Sequence, residues 1–283
     1  MRKLIVYGNC QAGAVALILK TVPYVAERWD VVQHDIWASG DVLASNLADF
    51  ETADILLQQD IWTWRNHPMR DKIPEGIAVV RFPFCYIAAL WPFDAWLIGN
   101  DDAMLKAREK HQAVSKDPFP FAFHDGLLAK LRTIIPDPEE RFERYRSLDL
   151  PPIPDFQIPD FRRYAEFEEA RLAKDDRQLG FNIGKFMTNN FRGTRLFHAC
   201  VHPTAGLLEE LTAEIMGRIG LDPHKNQFRP LADYMSGIQV PLHPKVIEQI
   251  GLTWANDSTL YSQPDGEKLT FDEYYRRYVN YPV

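Results

Sequence analysis

The stretch Tyr7–Gln11, YGNCQ, decides the fold of the first part of the chain. It follows the apolar run Leu4–Val6 and precedes the largely apolar segment 12–19. An apolar run, a Gly-Asn break and a second apolar segment with helical composition predict a strand, a tight turn and a helix. Cys10 would then lie at or near the first turn of that helix.

Cys10 is a candidate nucleophile because of this location. At a helix start, unpaired backbone N–H groups and the positive end of the helix dipole favour a thiolate. The backbone N–H groups of Cys10 and Gln11, with the side-chain amides of Asn9 or Gln11, could donate hydrogen bonds to an oxyanion, and Gly8 would permit the sharp turn. The alternative is a small cysteine that packs in the core.

Composition limits the function classes. The chain has 283 residues, 46% apolar and 25% charged, with a net charge of -7. This length supports a sizeable core, and the acidic balance argues against a nucleic-acid-binding surface. Three cysteines, at 10, 85 and 200, are too few and too widely spaced for a disulfide framework or metal knuckle, which favours a reducing, cytoplasmic setting. No stretch is long and apolar enough to predict a membrane span.

The chain alternates strand-like and helix-like segments near its start and becomes helical in the middle. Strands are predicted at 3–7, 29–34, 53–58 and 77–82, with a helix-compatible segment at 41–50. Helices are predicted at 101–111, 124–135, 138–148 and 161–179. We predict an α/β fold, with a small parallel sheet and a large, mainly helical portion. The prediction is a single domain over 1–283, with an α/β core at about 1–100 and 190–225 and a helical insertion at about 101–185.

His202 is the second candidate catalytic residue. A strand is predicted at 194–200, and Pro203 should open an amphipathic helix, so His202 should close the strand and cap the helix. If this strand and that of Cys10 run parallel in one sheet, both residues lie at its carboxyl edge, where His202 could act as a base. Asp60, after the third strand, is the carboxylate we select to orient His202. A capping role alone is the alternative for His202.

Three basic residues suit an anionic ligand. Lys185, Arg192 and Arg195 lie in a segment with several Asn and Thr residues, a composition suited to phosphates or sugar hydroxyls. A solvated surface is the alternative. His198 is close to His202 in sequence, but no carboxylate is near, so no metal site is predicted.

Two motifs together resemble a known family. Gly8–Gln11 after the opening strand, and Arg195–Thr204 before a Leu-rich helix, resemble the WcbI-type acetyltransferases of polysaccharide biosynthesis. The likeness spans most of the chain and includes 243–252. It implies a coenzyme A-binding protein that transfers acetyl groups to capsular or other surface glycans, with Cys10 in the active site. The chain also looks like a distant, Cys-for-Ser relative of the SGNH or Gly-Asp-Ser hydrolases.

The second motif departs from both families. The WcbI pattern has an asparagine before the histidine, where this chain has Val201, and the hydrolases have an aspartate where this chain has Ala199. A dyad, or a carboxylate from elsewhere, is therefore expected.

The resemblance implies acetyl-coenzyme A as co-substrate. Lys185, Arg192 and Arg195 are our candidates to bind it, on the composition of their segment, and no metal is predicted. It also implies a carbohydrate acceptor and association with glycan-biosynthesis enzymes. The alternatives are a Cys-dependent esterase or thioesterase, and a non-catalytic subunit that binds coenzyme A or a glycan.

Overall fold

The computed structural model describes residues 1–39, 46–61, 73–221 and 233–283. The strands are β1 Arg2–Gly8, β2 Trp29–Asp35, β3 Ile55–Asp60, β4 Ala78–Pro83, β5 Phe197–Ala199, β6 His202–Pro203, β7 Tyr261–Ser262 and β8 Lys268–Leu269. The helices are α1 Cys10–Thr21, α2 Pro23–Arg28, α3 Ala95–Ile98, α4 Asp102–Val114, α5 Gly126–Ile134, α6 Pro138–Ser147, α7 Phe161–Leu179, α8 Ile183–Asn190, α9 Ala205–Arg218, α10 Pro244–Ile250 and α11 Phe271–Val279. A 3₁₀ turn forms at Ala88–Leu90.

The first four strands form one parallel sheet in the order β2-β1-β3-β4. Strand β1 pairs on both sides, and Leu4, Ile5 and Val6 are fully buried. A central parallel strand has both faces covered, so it is apolar without interruption rather than alternating. The α/β prediction is confirmed, and the four predicted strands agree with the observed ones to within two residues at each end.

The chain divides into two compact units. The first comprises Met1–Cys85, Arg171–Asn189 and the described part of Pro203–Tyr234, and it contains the parallel sheet. In this unit α1 packs against β1, β2 and α9. The α9 residues Leu207, Leu211 and Ile215 are buried, as their spacing predicts, whereas Ile219 at the end of the same predicted face is the C-cap and is only half-buried.

The second unit comprises Tyr86–Ala170, Asn190–His202 and Met235–Val283. It is mainly helical, and α6 packs against α11 and α5. Aromatic rings fill its core: the centroids of Phe271 and Tyr275 are 4.7 Å apart, and those of Phe121 and Tyr278 are 5.0 Å apart. The helices predicted at 101–111, 124–135, 138–148 and 161–179 correspond to α4, α5, α6 and α7. Residues 46–50 are helical, whereas 41–45 of the segment predicted at 41–50 lie outside the described residues.

Two local predictions around His202 are wrong. The strand predicted at 194–200 corresponds to the short strand β5. This strand pairs with β6 in a separate two-stranded sheet and does not join the four-stranded sheet. Helix α9 begins at Ala205 with Thr204 as its N-cap, so Pro203 does not open it and His202 does not cap it. The fixed φ of proline fits an extended pair as well as a helix start, and the sequence alone did not distinguish the two.

Candidate active site

Cys10 lies at the junction between β1 and α1. Asn9 is the N-cap, and its Oδ1 accepts a hydrogen bond from the Gln11 N–H at 2.9 Å. The backbone oxygen of Asn9 accepts from the Gly13 N–H at 3.1 Å. Cys10 is the first helical residue and its side chain is exposed. This confirms the predicted location of the thiol at the first turn.

The Cys10 thiol is not a ready thiolate. Partial burial of the sulfur raises its pKa, the backbone N–H groups of Gln11 and Cys10 lower it, and the charge of Asp35 raises it. The N–H groups at the helix start therefore favour the thiolate as expected, but burial outweighs them and the net direction is upward. The side chain reaches solvent, but the protein atoms around it outweigh the backbone N–H groups. Deprotonation at neutral pH therefore requires a base.

Gly8 is required by the close approach of two side chains. A Cβ at this position would lie 2.5 Å from Gln59 Oε1 and 2.8 Å from the Cβ of Ala12. The φ of Gly8 is not in the left-handed region. Gly8 therefore provides space between β3 and α1, rather than the backbone freedom that a sharp turn needs.

Two buried amides support this junction. Gln11 and Gln59 are both fully buried. Gln59 Oε1 accepts from the Asn9 N–H at 3.0 Å, and Gln59 Nε2 donates to Gln11 Oε1 at 3.1 Å. Gln11 also bonds the backbone of Cys85 through both ends of its amide. Sequence reasoning missed Gln59 and Cys85; the available signal was a pair of glutamines in an otherwise apolar strand.

Asp60 ends β3 and forms an ion pair with Arg81 on the neighbouring strand β4. The pKa of Asp175 is raised mainly by burial, and the charge of Asp60 adds to this effect. These contacts all belong to the first unit. The role of Asp60 in orienting His202 stays a prediction.

His202 belongs to the second unit. Its ring meets that of Phe123 edge to face, with centroids 5.0 Å apart. Burial, with a contribution from the charge of His198, lowers the pKa of His202 to about 4. Its Nδ1 is buried and has no hydrogen-bond partner among the described residues. His202 is therefore a neutral imidazole at physiological pH, and its burial makes it a weak base.

The three candidate ligand-binding cations do not belong to one unit. Lys185 is exposed on α8 in the first unit, whereas Arg192 and Arg195 belong to the second. Arg192 is 2.5 Å from a carboxylate oxygen of Glu169. The Arg195 guanidinium lies over the ring of Tyr261, 5.1 Å from its centroid. Both arginines therefore have partners within their own unit.

Two features are absent from the described residues. No group of three or more His, Cys, Asp or Glu side chains is arranged to hold a metal ion. No described helix combines the length and apolar character needed to cross a membrane.

The fold and this site define an α/β protein with an accessible cysteine at the carboxyl edge of a parallel sheet. The profile of the family described as polysaccharide biosynthesis enzyme WcbI matches residues 3–224. The chain belongs to this family of polysaccharide biosynthesis enzymes, which confirms the resemblance found in the sequence.

A solved structure supports the fold. It is described as WcbI, a novel polysaccharide biosynthesis enzyme, in a native form without a disulfide bond between coenzyme A and one of its cysteines. The similarity covers 98% of this chain and 90% of that one, with a TM-score of 0.67 and 20% identity. The comparison with curated proteins found no match.

Proposed function

We propose that this protein is a coenzyme A-dependent acetyltransferase, which acetylates a hydroxyl of a surface or capsular polysaccharide or of its sugar precursor. The observation that carries the proposal is the accessible Cys10 thiol at the first turn of α1. Membership of a polysaccharide biosynthesis family supports the glycan acceptor. The description of the related structure names coenzyme A and a cysteine, between which that form has no disulfide bond, and this supports the donor.

In the proposed reaction His202 removes the proton of Cys10, and Sγ attacks the carbonyl carbon of acetyl-coenzyme A. The bond from that carbon to the coenzyme A sulfur breaks, and the departing thiolate takes the proton from His202. His202 then removes a proton from the sugar hydroxyl, whose oxygen attacks the acetyl group on Cys10. The bond to Sγ breaks, and Cys10 recovers its proton from His202.

The electrostatics of both residues define what these roles require. The raised pKa of Cys10 makes the thiol dependent on a base, and the lowered pKa of His202 leaves that base neutral but weak, so the proton transfer is uphill in the free protein. The backbone N–H groups of Cys10 and Gln11 are close enough to the sulfur to lower its pKa. The Cys10 N–H would also stabilise an oxyanion that forms next to the sulfur, whereas the Gln11 N–H already donates to Asn9 Oδ1. Asp60 is proposed to orient His202.

Lys185, Arg192 and Arg195 are proposed to bind the phosphates of coenzyme A. Arginine and lysine recognise phosphate through charge-assisted hydrogen bonds. Arg192 would have to exchange its Glu169 partner for the ligand. Its contribution to affinity is therefore expected to be smaller than that of Lys185.

The first experiment is calorimetric titration of coenzyme A and acetyl-coenzyme A into the wild type and the Cys10→Ala variant. We expect micromolar binding to both proteins, because the phosphate contacts do not require the thiol. Absence of binding to either protein would overturn the proposed donor.

Acid-quenched mass spectrometry tests the covalent step. After mixing with acetyl-coenzyme A, we expect one acetyl group on Cys10, since Cys85 and Cys200 are buried. Rapid loss of that group to water without an acceptor would instead indicate an esterase or thioesterase. Binding that survives Cys10→Ala, without acetylation or turnover in the wild type, would indicate a non-catalytic binding subunit.

A further inference from the structure

The buried amide of Gln59 links β3 to the start of α1, although its side chain does not reach solvent. We propose that Gln59, acting through Asn9 and Gln11, is the positioning residue that sets the reactivity of the Cys10 thiol. The inference rests on Cys10 as the reactive thiol of the proposed function, but not on the identity of the acyl donor.

The hydrogen bonds of this network have a forced direction. The Asn9 backbone N–H can only donate, so the atom of Gln59 that faces it must be the oxygen, at 3.0 Å. Gln59 Nε2 is then left to donate to Gln11 Oε1 at 3.1 Å. The Cys85 N–H donates to the same Gln11 oxygen at 3.0 Å, and Gln11 Nε2 donates to the Cys85 carbonyl at 2.7 Å. Backbone groups at both ends therefore fix the orientation of both amides.

This network holds the residue that caps the helix. Asn9 is bonded through its N–H to Gln59 and through its Oδ1 to the Gln11 N–H. The N–H groups of Cys10 and Gln11, which lower the thiol pKa, belong to the same turn. Loss of the bond from Gln59 would free Asn9 and move those N–H groups relative to the sulfur. The missing Cβ of Gly8 is what lets Gln59 approach this closely.

The position requires one acceptor and one donor on the same planar group. An ionised carboxylate in place of the amide would present an acceptor to Gln11 Oε1 and would be a buried charge. A protonated carboxyl restores the pattern, because its O–H can donate to Gln11 while its carbonyl accepts from Asn9. In Gln59→Glu the pH therefore decides the hydrogen-bond pattern: the protonated carboxyl reproduces the pattern of the amide, and the carboxylate does not.

The test measures the reaction of Cys10 with 2,2′-dithiodipyridine between pH 4 and pH 9, following the released pyridinethione by absorbance. In Gln59→Glu we expect a rate close to that of the wild type while the introduced carboxyl is protonated. When it ionises, the rate should fall by about tenfold, which corresponds to one unit of thiol pKa. The pH profile thus gains an ionisation that the wild type lacks. In Gln59→Met the rate should be reduced without that added ionisation.

Gln58→Glu is the matched control. Gln58 precedes Gln59 on β3, is 3% exposed, and its Nε2 has no hydrogen-bond partner among the described residues. The same charge is therefore introduced into the same strand outside the network, and the Cys10 profile should keep its wild-type shape. A purely structural effect of a buried carboxyl would change the profiles of Gln58→Glu and Gln59→Glu alike, and that result would overturn the proposal.

A folded Gln59→Glu protein with a wild-type profile would also overturn the proposal. If Gln59→Glu does not fold, a Gln59→Met protein whose Cys10 reacts at the wild-type rate would overturn the proposal instead. With acetyl-coenzyme A we expect Gln59→Met to lower kcat and leave KM unchanged. The thiol profile needs no acyl donor, so absence of coenzyme A binding would refute the proposed function without affecting this test.

Discussion

Each unit contains a buried polar network, and the two networks differ in their chemistry. At the Cys10 junction of the first unit, the buried groups are the neutral amides of Gln11 and Gln59. In the network of the second unit they are acids and phenols, centred on Asp125, Tyr145 and Tyr278. Amides do not titrate and carboxyls do. The support of the candidate active site should therefore be insensitive to pH, whereas the stability of the second unit should depend on it.

Asp125 is the centre of the second network. It is the N-cap of α5, where its Oδ1 accepts from the Leu128 N–H at 2.7 Å, and its Oδ2 accepts from the Tyr145 hydroxyl at 2.5 Å. Its backbone N–H donates to the Tyr278 hydroxyl, which in turn donates to Asp101. Burial raises the pKa of Asp125 to about 7, although the bonds from Tyr145 and Leu128 lower it. Asp125 is therefore largely a neutral acid at pH 5.

The largest effect is expected from Asp125→Ala. The substitution removes a helix cap, worth about 1 kcal/mol, and takes the carboxyl acceptor away from the buried Tyr145 hydroxyl, at a cost of about 2 kcal/mol. We expect a loss of about 3 kcal/mol in urea unfolding at pH 5.

Asp137→Ala is the control for this loss. Asp137 caps α6 in the same way, at 2.7 Å from the Glu140 N–H, but it is exposed. We expect only the cap contribution of about 1 kcal/mol from it. Equal losses in the two variants would show that the buried network contributes nothing beyond the cap.

The next largest effect is expected at the Cys10 junction, from Gly8→Ala. The added methyl would overlap Gln59 and Ala12, which we expect to cost about 2 kcal/mol because the packed strand and helix must separate. Gly13→Ala, on the adjoining helix α1, is the control, since its Cβ would meet only the end of Gln33, at 3.9 Å. A helical Gly→Ala change without a clash should stabilise by about 0.5–1 kcal/mol. Thermal unfolding of the two variants should therefore shift in opposite directions.

The sequence could predict the local structure around Cys10 but not the long-range contacts of either buried network. The strand pattern and the YGNCQ break located Cys10 at a helix start, because that inference needs only neighbours in the sequence. The partners of Gln11 lie 48 and 74 residues away, and Tyr278 bonds Asp101 across 177 residues. Such contacts depend on how the elements pack, which periodicity does not specify.

The same reason explains the wrong expectations near the two candidate catalytic residues. Local rules describe backbone preferences, so they predicted helix-start N–H groups near Cys10 but not the burial that raises the thiol pKa. At His202, which precedes a proline, local rules predicted the extended backbone. They did not predict that this segment pairs with strand β5. The sheet order, the buried amide network and the acid network around Asp125 all required the structure.

A smaller effect concerns the pH dependence of stability. The pKa of Asp125 is raised from 3.8 when unfolded to about 7 when folded, so between these values the folded protein holds a proton that the unfolded chain has released. This contribution is complete below the unfolded pKa and falls by about 1.4 kcal/mol per pH unit until the folded pKa is passed. Relative to Asp125→Asn, the wild type should lose about 1–2 kcal/mol between pH 5 and pH 6.5. Parallel stability curves in urea would refute the raised pKa.

The smallest effect on stability is expected from Asp60→Asn. The ion pair of Asp60 with Arg81 is partly exposed, so its loss should change the free energy of unfolding by no more than about 0.5 kcal/mol. Arg81→Gln removes the same pair from the other side and should have an equally small effect. The two variants separate structure from catalysis, because only Asp60 is proposed to orient His202. A fall in kcat for acetyl transfer in Asp60→Asn but not in Arg81→Gln would support that role, and equal kcat values would refute it.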